Sequence, residues 1–223
     1  MREVASGVWQ ISFGPRDAVN VYLVGDVLID AGTSSMGRRL VRRLAGRRVT
    51  AHAITHAHPD HVGGSSAVCE DLGIELWAPA GDAPDVERGR PTVAPGTWAS
   101  SLVARAPGWK SPKVARRLVE SDSVGAFQVL DTPGHSPGHV SFWRESDRVL
   151  VVGDVFLNRT LFTGRVGVRE PPRVLTVDPE RNRNSMKRLA ELDPAVALFG
   201  HGPPMFDADR HLGTFVDGLE RLP

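Results

Sequence analysis

The segment His56-Ala57-His58-Pro59-Asp60-His61 places four potential metal ligands within six residues. Imidazole nitrogens and carboxylate oxygens are ligands that suit zinc, iron or manganese. Four such residues cannot all reach one tetrahedral ion without a strained loop. We therefore expect two adjacent ions, with His56 and His58 on one and Asp60 and His61 on the other.

Three further candidate ligands lie farther along the chain, each just after an apolar segment. His135 follows the apolar residues 129–130 across a short turn, Asp154 follows 149–152, and His201 follows 197–199. Ligands at strand ends converge on one edge of a sheet, which is rigid enough to hold metal geometry. We expect His135 to complete the first site, His201 to complete the second and Asp154 to bridge them. This arrangement leaves room for a bridging water.

The apolar pattern predicts strands and helices in two successive batches. In the first batch the predicted strands are 4–13, 19–24, 27–29, 49–55 and 74–77, and the predicted helices are 36–44, capped by Ser34 or Ser35, and 65–72. In the second batch the predicted strands are 126–130, 140–143, 149–152 and 196–199, and the predicted helices are 113–120, 179–192 and 207–219. A long, partly helical loop is predicted at 79–112 and a loop-rich stretch at 157–176. Two batches of strands, each followed by helices, predict two packed sheets with helices outside, in one domain over residues 1–223.

The ligand spacing H-x-H-x-D-H, followed by His135, Asp154 and His201, resembles the metallo-β-lactamase-fold superfamily. The resemblance runs from Asp30, in Leu-Ile-Asp-Ala-Gly, to His201, in Gly-His-Gly. It implies an α+β fold, a four-layer αβ/βα sandwich with the metals at one edge. The segment 132–139, Thr-Pro-Gly-His-Ser-Pro-Gly-His, is similar to the hydroxyacylglutathione hydrolase (glyoxalase II) branch. Because the chain stops soon after His201, we expect it to lack the helical C-terminal domain with which that branch binds glutathione.

Asp30 also ends an apolar segment, and two interpretations of it stay open. It either hydrogen-bonds a metal ligand from behind, as metal sites usually require, or shapes a turn. The family resemblance favours the first. His139, His52 and His211 have no ligand pattern and are interpreted as ordinary structural residues, and Cys69, the single cysteine, as a small buried one.

The ligand set and the resemblance together predict a metallo-hydrolase of a small ester, thioester or lactone. Two divalent ions, with Zn²⁺ favoured and Fe or Mn as alternatives, would activate a bridging hydroxide. Asp60 would orient that hydroxide and carry its proton. Loops 79–112 and 157–176 would wall the substrate pocket, and four aromatic residues belong either to that wall or to the core: Trp98, Trp109, Phe156 and Phe162.

Two other activities fit parts of the pattern. A persulfide dioxygenase of the same fold would use one iron on His56, His135 and Asp154. The intact set of Asp60, His61 and His201 favours two metals instead. A β-lactam hydrolase is chemically compatible, but the sequence begins without the apolar run of a secretion signal, which argues against a periplasmic enzyme.

Composition predicts an ordinary globular protein. Of 223 residues, 41% are hydrophobic and 24% charged, and the net charge of +1 favours neither nucleic acid nor an anionic membrane as partner. Six arginines within residues 38–48 interleave with apolar residues at helical spacing, which indicates a solvated helix face. We expect a cytoplasmic protein that acts on a small molecule, with its oligomeric state left open.

Overall fold

The computed structural model describes residues 1–93, 108–110, 112–161 and 163–221. Within them the first sheet has seven strands, which lie side by side in chain order. These are β1 (Arg2–Ala5), β2 (Val8–Phe13), β3 (Val19–Val24), β4 (Val27–Ile29), β5 (Ala51–Ala53), β6 (Glu75–Pro79) and β7 (Val114–Leu118). The strands β1 to β4 are antiparallel neighbours, whereas β4 to β7 run parallel.

The second sheet is built from the later part of the chain. Its six described strands lie in the order β15-β14-β11-β10-β9-β8. They are β8 (Ser123–Val124), β9 (Phe127–Asp131), β10 (Val140–Arg144), β11 (Val149–Gly153), β14 (Val196–Phe199) and β15 (Met205–Phe206), while β12 (Leu157–Arg159) and β13 (Val166–Arg169) form a separate hairpin. The one parallel pair among these strands, β11 with β14, carries Asp154 and His201 to the same edge of the sheet.

The described helices lie on the outer faces of the sheets. They are α1 (Gly37–Arg43), α2 (Pro59–Val62), α3 (Ser65–Leu72), α4 (Ala83–Arg88), α5 (Pro179–Ala190) and α6 (Ala208–Glu220). Both faces of β3 are buried, because Tyr22 and Val24 enter the core between the sheets while Val21 and Leu23 pack against the outer helical layer. Alternation of side chains along a strand sends successive residues to opposite faces. The predicted four-layer αβ/βα sandwich is thereby confirmed.

Several predicted elements differ from the structure. The helix predicted at 113–120 is instead strand β7 (Val114–Leu118), which pairs in parallel with β6. The strand predicted at 4–13 is two strands, because the chain turns at Gly7, which has a φ of +68°. Neither Ser34 nor Ser35 caps α1, which begins after Met36 without a side-chain cap.

The two long loops contain regular structure. Helix α4 lies in the first, and the hairpin β12–β13 lies in the second. Trp109 and Phe156 are buried in the hydrophobic core and so do not line an open wall. Trp98 and Phe162 lie outside the described residues, and the part of the chain that is described contains no helix long and apolar enough to cross a bilayer.

Candidate metal centre

The histidine-rich segment leaves the end of β5 and forms the short helix α2. His58 is the residue before α2 and has an extended backbone, with φ −107° and ψ 151°, as expected before a proline. Pro59 occupies the first helical position, where its missing N–H costs nothing. This local bend lets one six-residue segment carry both pairs of side chains into the centre, where the ring centroids of His56 and His61 lie 4.1 Å apart.

The first group of converging side chains contains three histidines. Nε2 of His56 lies 3.0 Å from Nδ1 of His58, and Nε2 of His135 lies 2.9 Å from that same atom. His56 and His135 are buried, and the three candidate ligand atoms lie within 4.8 Å of one another. Three imidazole nitrogens aimed at one point are a ligand set that suits a zinc-like ion.

The second group contains Asp60, His61 and His201. Nε2 of His201 lies 3.2 Å from Oδ2 of Asp60, and the three ligand atoms again fall within 4.8 Å of one another. Asp60 is the most exposed of the three. Its carboxylate is therefore the member of this group that an incoming molecule can reach.

Asp154 lies between the two groups. Its Oδ2 is 3.2 Å from Nε2 of His201 and 3.7 Å from Nε2 of His135, and its Oδ1 is 3.5 Å from Nε2 of His61. One carboxylate thus contacts side chains of both groups. The structure brings together all seven side chains that the sequence singled out as ligands.

Four of the five ligand-type histidines, His56, His61, His135 and His201, are held at the far side of the ring by a neighbour outside the two groups. Nδ1 of His61 lies 2.8 Å from Oδ2 of Asp30, whose other oxygen accepts a hydrogen bond from the Thr55 N–H at 2.8 Å. Nδ1 of His201 donates to the carbonyl of Ala18 at 2.6 Å. A partner on one ring nitrogen fixes the tautomer and leaves the other nitrogen free to bind.

Similar contacts hold the first group. Thr55 Oγ1 lies 3.0 Å from Nδ1 of His56, and Thr176 Oγ1 lies 3.4 Å from Nδ1 of His135. His139, which is not a member of either group, accepts a hydrogen bond from the Asp154 N–H at 3.0 Å. His139 thereby positions the backbone that carries Asp154.

Asp82 is a buried residue of the centre that the sequence did not reveal. Its carboxylate accepts hydrogen bonds from the Ala57 N–H at 2.8 Å, the Ser136 hydroxyl at 2.6 Å and the Gly138 N–H at 2.6 Å. It therefore ties the segment between His56 and His58 to the segment that follows His135. Two of its three partners are backbone groups that only folding brings close, so no spacing in the sequence marks it.

Burial and charge set the protonation of the cluster. Burial above all, with the neighbouring histidines, lowers the pKa of His56 and of His135 well below the usual range, so both rings are neutral with a free lone pair. Burial opposes protonation of His201 as well, yet Asp154 and Asp60 raise its pKa to about 10. The second group is thus an environment that attracts positive charge.

Two buried atoms at the centre have no hydrogen-bond partner among the described residues. They are Nε2 of His61 and Oδ1 of Asp154, which lie 3.5 Å apart. An unsatisfied buried polar atom costs about 1–3 kcal/mol. A cation between the nitrogen and the oxygen would satisfy both, so the residues present fit a metal ion.

A narrow cavity opens over the cluster. Its floor is polar and its opposite wall is apolar, with the wall formed by Leu157, Leu161, Pro171, Pro172 and Leu175. All five wall residues come from the stretch 157–176. A small substrate could therefore place a polar reacting group on the floor and an apolar portion against the wall.

Comparisons with known proteins agree with this geometry. The chain is 29% identical to the probable metallo-hydrolase YflN of Bacillus subtilis (strain 168), over 91% of this chain and 86% of YflN. It is 28% identical to the hydroxyacylglutathione hydrolase GloC of Haemophilus influenzae, over 78% and 79% of the two chains. The crystal structure of TTHA1623 in a di-iron-bound form superposes with a TM-score of 0.65 at 32% identity, over 91% of this chain and 96% of that one.

A sequence profile of one family matches most of the chain. The profile is that of the Metallo-beta-lactamase superfamily. It covers residues 14–201, from the loop before β3 to the last histidine of the second group. The chain belongs to the metallo-beta-lactamase superfamily.

Proposed function

We propose that this protein is a dinuclear metal-dependent hydrolase of small esters, thioesters or lactones. Its metal ligands would be His56, His58, Asp60, His61, His135, Asp154 and His201. The observation that carries the proposal is a pair of three-residue groups at the ends of strands from both sheets, with Asp154 in contact with both groups. The metallo-beta-lactamase fold implies divalent metal ions, and seven ligand-type side chains exceed what one ion needs.

We infer that His56, His58 and His135 hold one ion, that Asp60, His61 and His201 hold the other, and that Asp154 bridges. Zn²⁺ is the proposed metal because nitrogen and carboxylate ligands suit it. Iron is the alternative, since the related TTHA1623 has been crystallised in a di-iron-bound form. Metal analysis of the purified protein has to distinguish iron from zinc.

Bound divalent ions would lower the pKa of a water that they share and would polarise the carbonyl of the substrate. The residues of the chain have their own tasks. Hydrogen bonding and charge from His201 outweigh burial and keep the pKa of Asp60 below its usual range, so its carboxylate is ionised at neutral pH. Asp60 faces the cavity and can accept a proton at Oδ2. Leu157 and Leu161 on the apolar wall would bind the acyl portion and exclude bulk water.

A thioester is the first substrate class to test. The similarity to GloC, a hydroxyacylglutathione hydrolase, supports it, and a small acyl group fits the apolar wall. Hydrolysis consumes only water, whereas the dioxygenase alternative consumes oxygen. The two therefore differ in a measurement that needs no knowledge of the natural substrate.

The experiment is anaerobic turnover of an S-acetyl thioester by protein whose metal content is measured in the same preparation. We expect about two metal ions per chain and undiminished turnover without oxygen. The matched control is His211→Ala, which removes an exposed histidine on α6 and should change neither value. One tightly held iron per chain with an oxygen requirement would overturn the proposal in favour of the dioxygenase.

A further inference from the structure

Two arginines join the hairpin β12–β13 to the loop between β2 and β3. Arg159, at the end of β12, donates from Nη1 to the carbonyl of Pro15 at 2.9 Å. Arg16 donates from Nη1 to the carbonyl of Thr163, in the hairpin turn, at 3.5 Å. The side chains thus cross between the same two segments in opposite directions. Arg159 is only 7% exposed, whereas Arg16 is exposed.

The two guanidinium groups face the same space beside Gly164. A side-chain carbon placed on Gly164 would lie 3.0 Å from Nη2 of Arg159 and 3.4 Å from Nη1 of Arg16. Gly164 itself has a φ of +67°, a conformation that favours glycine. The turn therefore keeps the surface between the two arginines free of a side chain.

Neither arginine has an ion-pair partner among the described residues. Asp17, the neighbour of Arg16 in sequence, pairs instead with Arg2 at 2.9 Å. Arg159 donates from Nε to the Thr160 carbonyl and from Nη1 to the Pro15 carbonyl, and the described part of the chain offers no acceptor to its Nη2. Arginine is almost never buried without a paired charge, and two adjacent positive charges repel each other. An anion between them would offset both costs.

Both arginines lie in segments that also reach the metal centre. Leu161, in the same turn as Gly164, lines the cavity over the cluster. Ala18, two residues after Arg16, accepts the hydrogen bond that holds His201. The hairpin turn and the loop before β3 thus connect the arginine pair to the cavity and to His201.

We propose that Arg16 and Arg159 form an anion subsite that binds a carboxylate or phosphate group of the substrate, remote from the bond that is cleaved. The planar guanidinium fork matches the oxygens of either anion. The role of this subsite in selecting substrates rests on the proposed hydrolase function. The binding of an anion by the two arginines does not depend on turnover.

The kinetic test compares thioesters that differ in one anionic group. The carboxylate comparison is 3-(acetylthio)propanoate against its primary amide, and the phosphate comparison is 2-(acetylthio)ethyl phosphate against 2-(acetylthio)ethanol. In wild type we expect a higher kcat/KM for the anionic member of one comparison. Arg16→Gln and Arg159→Lys should reduce that preference about tenfold, the size expected for one charge-assisted hydrogen bond. Arg148→Gln is the matched control, because Arg148 is also exposed and donates only to a carbonyl.

A second readout is independent of turnover. Phenylglyoxal modifies accessible arginines, and mass spectrometry locates the modified ones. Glutarate or inorganic phosphate should protect Arg16 but not Arg148, whereas the neutral glutaramide should protect neither. A preference unchanged in both variants, or no protection by either anion, would overturn the subsite. Protection of Arg16 in a protein that hydrolyses no thioester, ester or lactone would support the subsite and contradict the proposed hydrolase.

Discussion

Nδ1 of His61 lies 2.8 Å from Oδ2 of Asp30, while the opposite nitrogen of the ring faces Asp154 with no hydrogen-bond partner among the described residues. The carboxylate of Asp30 therefore holds the proton on Nδ1 and leaves the Nε2 lone pair directed at the centre. Asp30 can accept in this direction because its backbone has a φ of +62°, which aspartate tolerates better than most residues.

Asp30→Asn is expected to weaken metal binding at the site that contains His61 by about 10–100-fold. Asparagine tolerates the same backbone conformation, but it removes the negative charge behind the ring and its NH₂ group opposes a protonated Nδ1. Competition with a chromophoric chelator measures the affinity. Asp207→Asn, at an exposed residue with a φ of +63°, is the matched control. Equal affinities for Asp30→Asn and wild type would show that Asp30 only shapes the turn.

His58→Ala and His201→Ala should each remove one metal ion, and a different one. His58 belongs only to the first group and His201 only to the second, whereas His56 and His61 each also group with Asp154. Native mass spectrometry should find about two ions per wild-type chain and about one in each variant. Activity should fall in both, because each ion has its own task. A His201→Ala protein that kept both ions and full turnover would contradict the assignment.

Asp60→Asn should retain the fold and lose about 10²–10⁴-fold in thioester turnover, the range expected for loss of a proton-transfer group. Oδ2 of Asp60 lies 3.2 Å from Nε2 of His201, and asparagine keeps the size of the side chain while removing its charge. Turnover under anaerobic conditions and circular dichroism of the same sample separate loss of chemistry from loss of structure. In a dioxygenase built on His56, His135 and Asp154, the substitution would leave activity near wild type.

The stability contribution of His52 should depend on pH. His52 is fully buried, with ring nitrogens 3.2 Å from the Leu28 carbonyl and 2.8 Å from the Ser65 hydroxyl, and burial lowers its pKa from 6.5 to about 4. As pH falls below 6.5, the unfolded chain binds a proton that the folded protein does not, so stability falls until pH passes the folded pKa. Between pH 7.5 and pH 5 this loss should be about 2 kcal/mol.

The comparison of wild type with His52→Gln isolates this effect. Glutamine stays uncharged, so the difference in free energy of unfolding between the two proteins should change by that amount, while acid effects on the metal centre cancel. Urea denaturation at both pH values measures it. His211→Gln, an exposed substitution on α6, should show no such change. A constant difference between wild type and His52→Gln would mean that folding leaves the pKa of His52 unchanged.

The sequence predicted the elements that carry the centre because their apolar patterns are unambiguous. The strands 19–24, 27–29 and 196–199 are predicted with the same bounds that the structure has. Asp154 directly follows β11 and His201 follows β14 after one glycine. His56 and His135 follow β5 and β9 after two and three residues, so the ends of the strands place these four ligands.

The prediction was wrong where one pattern fits two structures. Val114 and Leu118 are four residues apart, a spacing that puts them on one face of a helix and equally on one face of a strand. The strand is stabilised by pairing with β6 and by Arg116, whose guanidinium carbon lies 5.0 Å from the centre of the Trp77 ring. Both partners are distant in sequence, so no local pattern could have favoured β7 over a helix.

The three hydrogen bonds of Asp82 have a consequence for the timing of metal capture. They connect the backbone beside His56 to the loop after His135, and none of them uses an atom of the proposed metal ligands. The ordering entropy of these loops is therefore lost when the chain folds, and not when an ion arrives. Metal capture at this group should resemble the docking of a ligand into a rigid receptor, with an association rate limited by ion dehydration and little change in hydrogen-exchange protection of the two loops.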